Sequence, residues 1–303
     1  MVWGEKDACQ GIMILLNVPT INDEPSDFDR LFHPWQQIEE KGILFEEVRF
    51  DFSNCRFLRQ NAVAFLGGLA HYIEHNAGTL TFAWETLRAD VRQNLAQNGF
   101  MAAFGRPMRP WVGNSIPYRR DSVLDRDGVT EYLRDKWLGR GWIQVAPSLR
   151  DAIAGSVWEV YANAFEHGHS PIGVVSCGQR YPDLGRLKLT VIDFGVGIPY
   201  NVQRFKGNPR IAPERALEWA FQRGTSTAPG SRGLGLALLQ EFVEQNHGRL
   251  EIYSQHAYAV LTRESAQFLA RSTNFGGTIV NISISCDESV YHPLTNEVDE
   301  PYF

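Results

Sequence analysis

The stretch LKLTVIDFGVGI, residues 187–198, decides the fold. Leu187 to Ile192 is an apolar run of strand length that ends at Asp193, and Gly195 and Gly197 follow. An acid at a strand end, then two glycines, lets the backbone approach a flat ring while the carboxylate accepts from an exocyclic amine. Alone, the pattern also describes a glycine-rich turn, so its neighbours have to be read with it.

Upstream, Leu149 to Phe165 reads as one long helix. Ile153, Val157, Val160, Tyr161 and Ala164 recur at helical spacing and define a buried face. Glu159, Asn163 and His167 stand at i, i+4 and i+8 and form a separate polar stripe. Asn163 offers a neutral oxygen to a hard cation such as Mg²⁺, and Glu159 can take a proton from an attacking water. A solvated helix face is the plain alternative.

Downstream, Gly233-Leu234-Gly235-Leu236 opens an apolar helix that runs to Gln245 and stops at Asn246-His247-Gly248. Free N–H groups at a helix start suit phosphate. The preceding residues, Thr225 to Arg232, read as loop, which excludes a dinucleotide-binding turn; no G-x-x-x-x-G-K-[ST] is present either. Gly276-Gly277-Thr278 leads into an alternating strand, where the threonine hydroxyl can bond a base or a water beside Asp193. Strands are expected at Arg249 to Ser254 and Thr278 to Ser285. A loop-rich stretch of about 35 residues follows Ile198, long for a connection inside a compact domain.

Residues up to about 105 read as mixed α/β. Ile12 to Val18 is expected as a buried strand and Phe45 to Phe52 as another, with Phe50 and Phe52 on one face. Asn61 to Asn76 is helical, closed by Asn76-Ala77-Gly78, then Thr79 to Trp84 is a strand and Leu87 to Asn98 a helix closed by Gly99. That order implies parallel strands with helical crossovers. Residues 105–120, rich in Pro, Gly and Arg, mark the boundary. The expected division is 1–110, a linker and lead-in over 111–147, and 148–303.

Twenty-nine basic against 35 acidic residues give a net charge of 29 − 35 = −6, which with no basic run argues against a nucleic-acid binder. Cys9, Cys55, Cys177 and Cys286 are scattered and form no C-x-x-C pair, so they read as reduced packing residues of a cytoplasmic protein. No apolar run is long enough to span a bilayer.

The order E-x-x-x-N-A-x-x-H, D-x-G-x-G-I, G-L-G-L and G-G-T resembles the GHKL ATPase superfamily, which includes gyrase B, Hsp90, sensor histidine kinases and the anti-sigma serine kinases, the last being closest in style. The resemblance covers roughly residues 148 to 285. It implies a Bergerat-fold α/β sandwich that binds ATP and Mg²⁺ under a mobile lid, Pro199 to Arg232. By the same resemblance Asn163 is the magnesium ligand and Asp193 holds the adenine amine. Gly195, Gly197 and Ile198 line the base pocket, and Gly233, Leu234, Gly235 and Leu236 meet the phosphates. Thr278 supports Asp193, and Glu159 is the general base. Arg223, Thr225, Ser226 and Arg232 stand at the lid's end, for phosphate contact or plain solvation.

The N-terminal half resembles a STAS domain, the fold of anti-sigma factor antagonists, through Arg49-Phe50-Asp51-Phe52, Phe57-Leu58 and the helix that follows. That family places a phosphorylatable serine after the Phe-Leu pair; here the residues are Arg59-Gln60-Asn61-Ala62, with no hydroxyl. The expected fold is therefore a STAS-like α/β domain followed by the Bergerat α/β sandwich. The expected function is a Mg-dependent ATPase or ATP-driven switch in bacterial signalling or stress regulation. An anti-sigma-type serine/threonine kinase and a non-catalytic, ATP-liganded binding module are the alternatives. A histidine kinase is disfavoured, since no phosphoacceptor helix module is recognisable and His71 and His75 sit in the STAS-like part. Expected partners are ATP, a protein bound through the STAS-like domain or the lid, and a second copy in a homodimer; nucleic acid and membrane are not expected.

Overall fold

Helix Gln60–His75 (α2) is buried along most of its length and on every side: Ala62, Phe65, Leu66, Leu69 and Ile73, but also Ala64, Gly67, Gly68 and Ala70. A helix apolar all round belongs between two other layers, and the computed structural model of the chain places α2 between two sheets. The structure describes residues 13–22, 24–41, 47–106, 113–143, 145–222, 224–225 and 235–287.

The first sheet has strands Met13–Asn17 (β1), Glu47–Asp51 (β2) and Thr79–Phe82 (β3), in that order and all parallel. Parallel neighbours need crossovers, and helix Pro25–Lys41 (α1) and α2 supply them; helices Ala89–Gln97 (α3) and Phe100–Ala103 (α4) follow. β1 departs from the expected fully buried strand. Ile14 and Leu16 are buried in the core shared with α1 and α2, but Met13 and Leu15, on the other face of this edge strand, are 53% and 46% exposed. Ile12 lies outside the described residues. The stop of α2 also differs in detail: Ala77, not Gly78, takes the left-handed conformation (φ 60°), and the Gly78 N–H donates to the Ile73 carbonyl.

The second sheet is antiparallel, ordered β4-β5-β6-β8-β7. Its strands are Ser115–Asp121 (β4), Val174–Tyr181 (β5), Arg186–Asp193 (β6), Arg249–Thr262 (β7) and Ala266–Ser285 (β8). The helices of this part are Arg126–Glu131 (α5), continued by a π-helix over Tyr132–Leu138, then Pro147–His167 (α6), Ile198–Phe205 (α7), Pro213–Ala220 (α8) and Gly235–Gln245 (α9). The segment expected as linker and lead-in therefore supplies an edge strand, β4, and the fully buried Trp137 to the second core. β7 and β8 extend well beyond the expected strands as one long hairpin.

Alternation along β6 divides the core in two. Leu187, Leu189 and Val191 face a core shared with α6, α8 and α9, while Ile192 faces the one built with α1 and α2. Between α2 and the sheet runs a short buried polar chain. The Tyr181 hydroxyl donates to Gln60 (2.7 Å), the Gln60 amide to Thr190 (3.4 Å), and Thr190 to Asn281 (2.7 Å). Cys55 and Cys177 are packing residues, each thiol pushed up to about 12 by burial, and Cys9 lies outside the described residues. Among the described residues no helix is long and apolar enough to cross a membrane.

Phe65 touches Phe32, Phe194 and Phe275, which come from both halves of the chain. Phe65→Ala should cost about 3–5 kcal/mol, as truncation of a buried phenylalanine does. Denaturant unfolding should remain a single transition shifted to lower midpoint, because the truncated contact belongs to both sheets. Two separated transitions would show that the layers fold independently.

Candidate functional site

Asp193 is the last residue of β6, in register with Val174 on one side and Thr278 on the other. Only 3% of it is exposed. Its carboxylate accepts from the Gly195 N–H (2.9 Å) and from the backbone N–H and hydroxyl of Thr278. Those bonds favour the ionised form, but desolvation outweighs them and lifts the pKa from 3.8 to about 7. A buried carboxylate held short of full compensation is suited to receive one more donor.

The D-x-G-x-G turn is tied down on all sides. The Val196 N–H donates to the Gly168 carbonyl at the end of α6 (2.8 Å), and the Phe194 N–H to the Ser170 hydroxyl (3.2 Å). Gln255 on β7 donates to the Val196 carbonyl (2.9 Å). The Ser254 hydroxyl accepts from the Ile198 N–H (2.9 Å) and lies 3.1 Å from both the Gly277 carbonyl and the Thr278 hydroxyl. Asn201 on α7 donates to the His167 carbonyl (2.8 Å), closing the ring between α6 and the turn. Gly195 is required here by its own neighbour, since a Cβ would collide with the Gly168 carbonyl; Gly197 takes a φ of 80° that other residues rarely adopt.

On α6 the expected buried face is buried throughout, and the polar stripe points away from it. Glu159 is exposed, and Asn163 and His167 are half-buried. Neither the Glu159 nor the Asn163 side chain makes a hydrogen bond among the described residues. Burial lowers the pKa of His167 below the usual imidazole value. Among the described residues no group of three His, Cys, Asp or Glu side chains could hold a metal ion by itself. A magnesium ion on Asn163 would therefore need the substrate's phosphate oxygens to complete its shell, the ordinary mode for this ion.

The structure thus brings Asp193, Gly195, Gly197, Ile198 and Thr278 into one cluster against the end of α6, with Asn163 one helical turn further back and Glu159 a turn beyond that. Gly235 is the first residue of α9, and Leu236 packs its side chain toward the second core. Gly233 and Leu234 lie outside the described residues, as do Arg223, Ser226 and Arg232. The expected lid is less loop-like than its sequence suggested, because α7 and α8 both fall in it. Thr225 does not reach outward: its hydroxyl donates to the Trp219 and Gln222 carbonyls (3.0 and 2.6 Å) and closes the end of α8. Sequence reasoning missed Gly168, Ser170, Asn201, Ser254 and Gln255. Ser254 was within reach, since it stands opposite Thr278 once the two strands are paired.

Residues 150–287 match the family described as histidine kinase-, DNA gyrase B-, and HSP90-like ATPase. This part of the chain is a domain of that kind, and ATP binding with an ATPase or kinase-like activity follows for it in general terms. No curated protein matches the chain.

Asp193 makes a pH prediction about stability. Its folded pKa, about 7, lies above the ordinary 3.8, so between those values the native state keeps a proton that the unfolded chain releases. Its contribution is fully present below about pH 4 and is lost as the pH rises through 7. Asp193→Asn, similar in shape but unable to titrate, should lack that loss. Melting temperatures taken from pH 5 to 8 should fall for wild type relative to Asp193→Asn; parallel curves would contradict the raised pKa.

Proposed function

We propose that this chain is a Mg-dependent ATPase that works as an ATP-driven conformational switch. The observation that carries the reading is the buried, incompletely compensated Asp193 at the mouth of the glycine turn, on the same side of the sheet as the polar stripe of α6. Asp193 accepts from the adenine amine; Thr278, braced by Ser254, holds its carboxylate in place. The backbone of Gly195 and Gly197 flanks the base. The G-L-G-L motif, Gly233, Leu234, Gly235 and Leu236, meets the phosphates through backbone N–H groups. Asn163 holds the magnesium ion, which when bound offsets phosphate charge. Glu159, solvent-facing and with no side-chain hydrogen bond among the described residues, takes the proton of the attacking water.

Phosphotransfer to the chain's own N-terminal half is the weaker alternative. Gln60 and Asn61, where a STAS domain would carry its serine, are 3% and 1% exposed and packed against the opposite face of the sheet from α6. Neither residue carries a hydroxyl, and both side chains are buried. The STAS-like identity of that half, a protein partner on it or on the lid, a homodimer, and a cytoplasmic bacterial signalling role belong to the same proposal and rest on the pairing of domains alone.

Phosphate release by the purified protein with Mg-ATP tests the reading. Glu159→Ala should keep nucleotide affinity and lose on the order of 10²–10⁴ in kcat, the usual share of a positioned general base. Asn163→Ala should abolish the Mg²⁺ dependence of binding seen by titration, since alanine offers no oxygen to the ion. A wild type that releases no phosphate while labelling a partner would move the assignment to a kinase. Turnover unchanged in Glu159→Ala would remove Glu159 from the mechanism.

A further inference from the structure

The nucleotide reading uses one face of the D-x-G-x-G turn and leaves the other unexplained. Phe194, between Asp193 and Gly195, points the opposite way from Asp193, by the alternation that sends Val191 to one core and Ile192 to the other. It is 2% exposed, in the core built by α1 and α2. Its ring meets Trp35 edge-on (5.3 Å between centroids), Phe275 edge-on (5.2 Å), Phe65 at a tilt (5.7 Å) and Tyr72 nearly parallel (6.0 Å). It also rests directly on the backbone of α2, where a Cβ on Gly68 would collide with the ring.

The second glycine motif is held in the same manner. Phe275 immediately precedes Gly276-Gly277-Thr278 and packs against Trp35 (5.5 Å), Phe65 (5.6 Å) and Phe32 (5.2 Å). A Cβ on Gly276 would stand 3.4 Å from Trp35. The glycine turn after β6 and the Gly276-Gly277 segment of β8 are therefore each anchored from behind by one aromatic ring, and both rings are gripped by α1 and α2.

We propose that Phe194 and Phe275 are positioning residues for the adenine pocket, and that α1 and α2 of the N-terminal half set nucleotide affinity by holding them. This rests on the ATP-binding reading above. A shift of the Phe194 ring moves the backbone on which Asp193 and Gly195 stand, because no residue separates them. Close packing on Gly68 leaves the ring no room to move without α2. By linkage, whatever displaces α1 or α2 weakens ATP, and ATP in turn favours their seated position.

Isothermal titration with Mg-ATP, paired with thermal melts, tests this in the full chain. Phe194→Leu and Gly68→Ala should each weaken ATP on the order of tenfold, within the usual range for coupled sites. The double variant should bind no worse than either single one, because leucine lacks the ring atoms that the methyl group added by Gly68→Ala would strike. Trp35→Phe, a milder change that keeps a ring in place, should weaken ATP in the same direction should Phe194→Leu fold poorly. Phe50→Leu is the control: Phe50 sits in the same core against Phe82, so it should lower the melting temperature and leave affinity unchanged. ATP affinity unchanged in Phe194→Leu, Gly68→Ala and Trp35→Phe overturns the inference, as does an equal loss in Phe50→Leu. A wild type that binds no ATP overturns the ATP reading itself and this inference with it.

Discussion

The structure depends on one helix fitting between two sheets. α2 can lie there because Gly67 and Gly68 remove the side chains that would otherwise hold it off: a Cβ on Gly67 would collide with Tyr118, and one on Gly68 with Phe194. These two contacts let the N-terminal parallel sheet, its helices and the antiparallel sheet share one aromatic core. A glycine pair in mid-helix costs about 1 kcal/mol per residue in propensity. The burial it permits, with Phe65 and Phe275 each touching Phe32 and Phe194, offsets that cost many times over.

The same packing explains why the two faces of β6 have different chemistry. One side of the strand is closed by the α2 layer and filled with rings, and the polar groups it carries are the short hydrogen-bonded chain of Tyr181, Gln60, Thr190 and Asn281. On the other side the end of the strand emerges beside α6, where Asp193 is buried but given too few donors to stay fully ionised at neutral pH. Burial and hydrogen bonding oppose each other at that carboxylate, and burial wins, lifting its pKa to about 7. A ligand amine would reverse the balance.

Sequence reading succeeded where one periodicity governed a whole element. The face of α6 was legible because Ile153, Val157, Val160, Tyr161 and Ala164 all pack into one core, and β6 because its apolar run ends sharply at Asp193. It failed where several signals collided. No element was expected between Val18 and Phe45, yet α1 runs through Pro34, which reads as a helix break. β5 was missed because Ser176, Gly178 and Gln179 dilute its pattern. α7 and α8 are too short, at eight residues each, to show a period against their prolines and intervening glycine. In the site, the motif residues were legible, but the braces were not: Ser170, Asn201 and Gln255 act through backbone carbonyls and N–H groups, contacts that leave no spacing to read.

The proposed function turns on Asp193 reading the base of a bound nucleotide. Calorimetric titration of the wild-type chain with Mg-ATP and Mg-GTP at pH 8, where the carboxylate is ionised, tests it most directly. Adenine offers the carboxylate an amine donor, whereas guanine presents a carbonyl oxygen at the same ring position, which two acceptors cannot share. ATP should bind tightly and GTP far more weakly, and that preference should be lost in Asp193→Asn. Equal affinity for the two nucleotides, or an ATP preference that survives in Asp193→Asn, would contradict it.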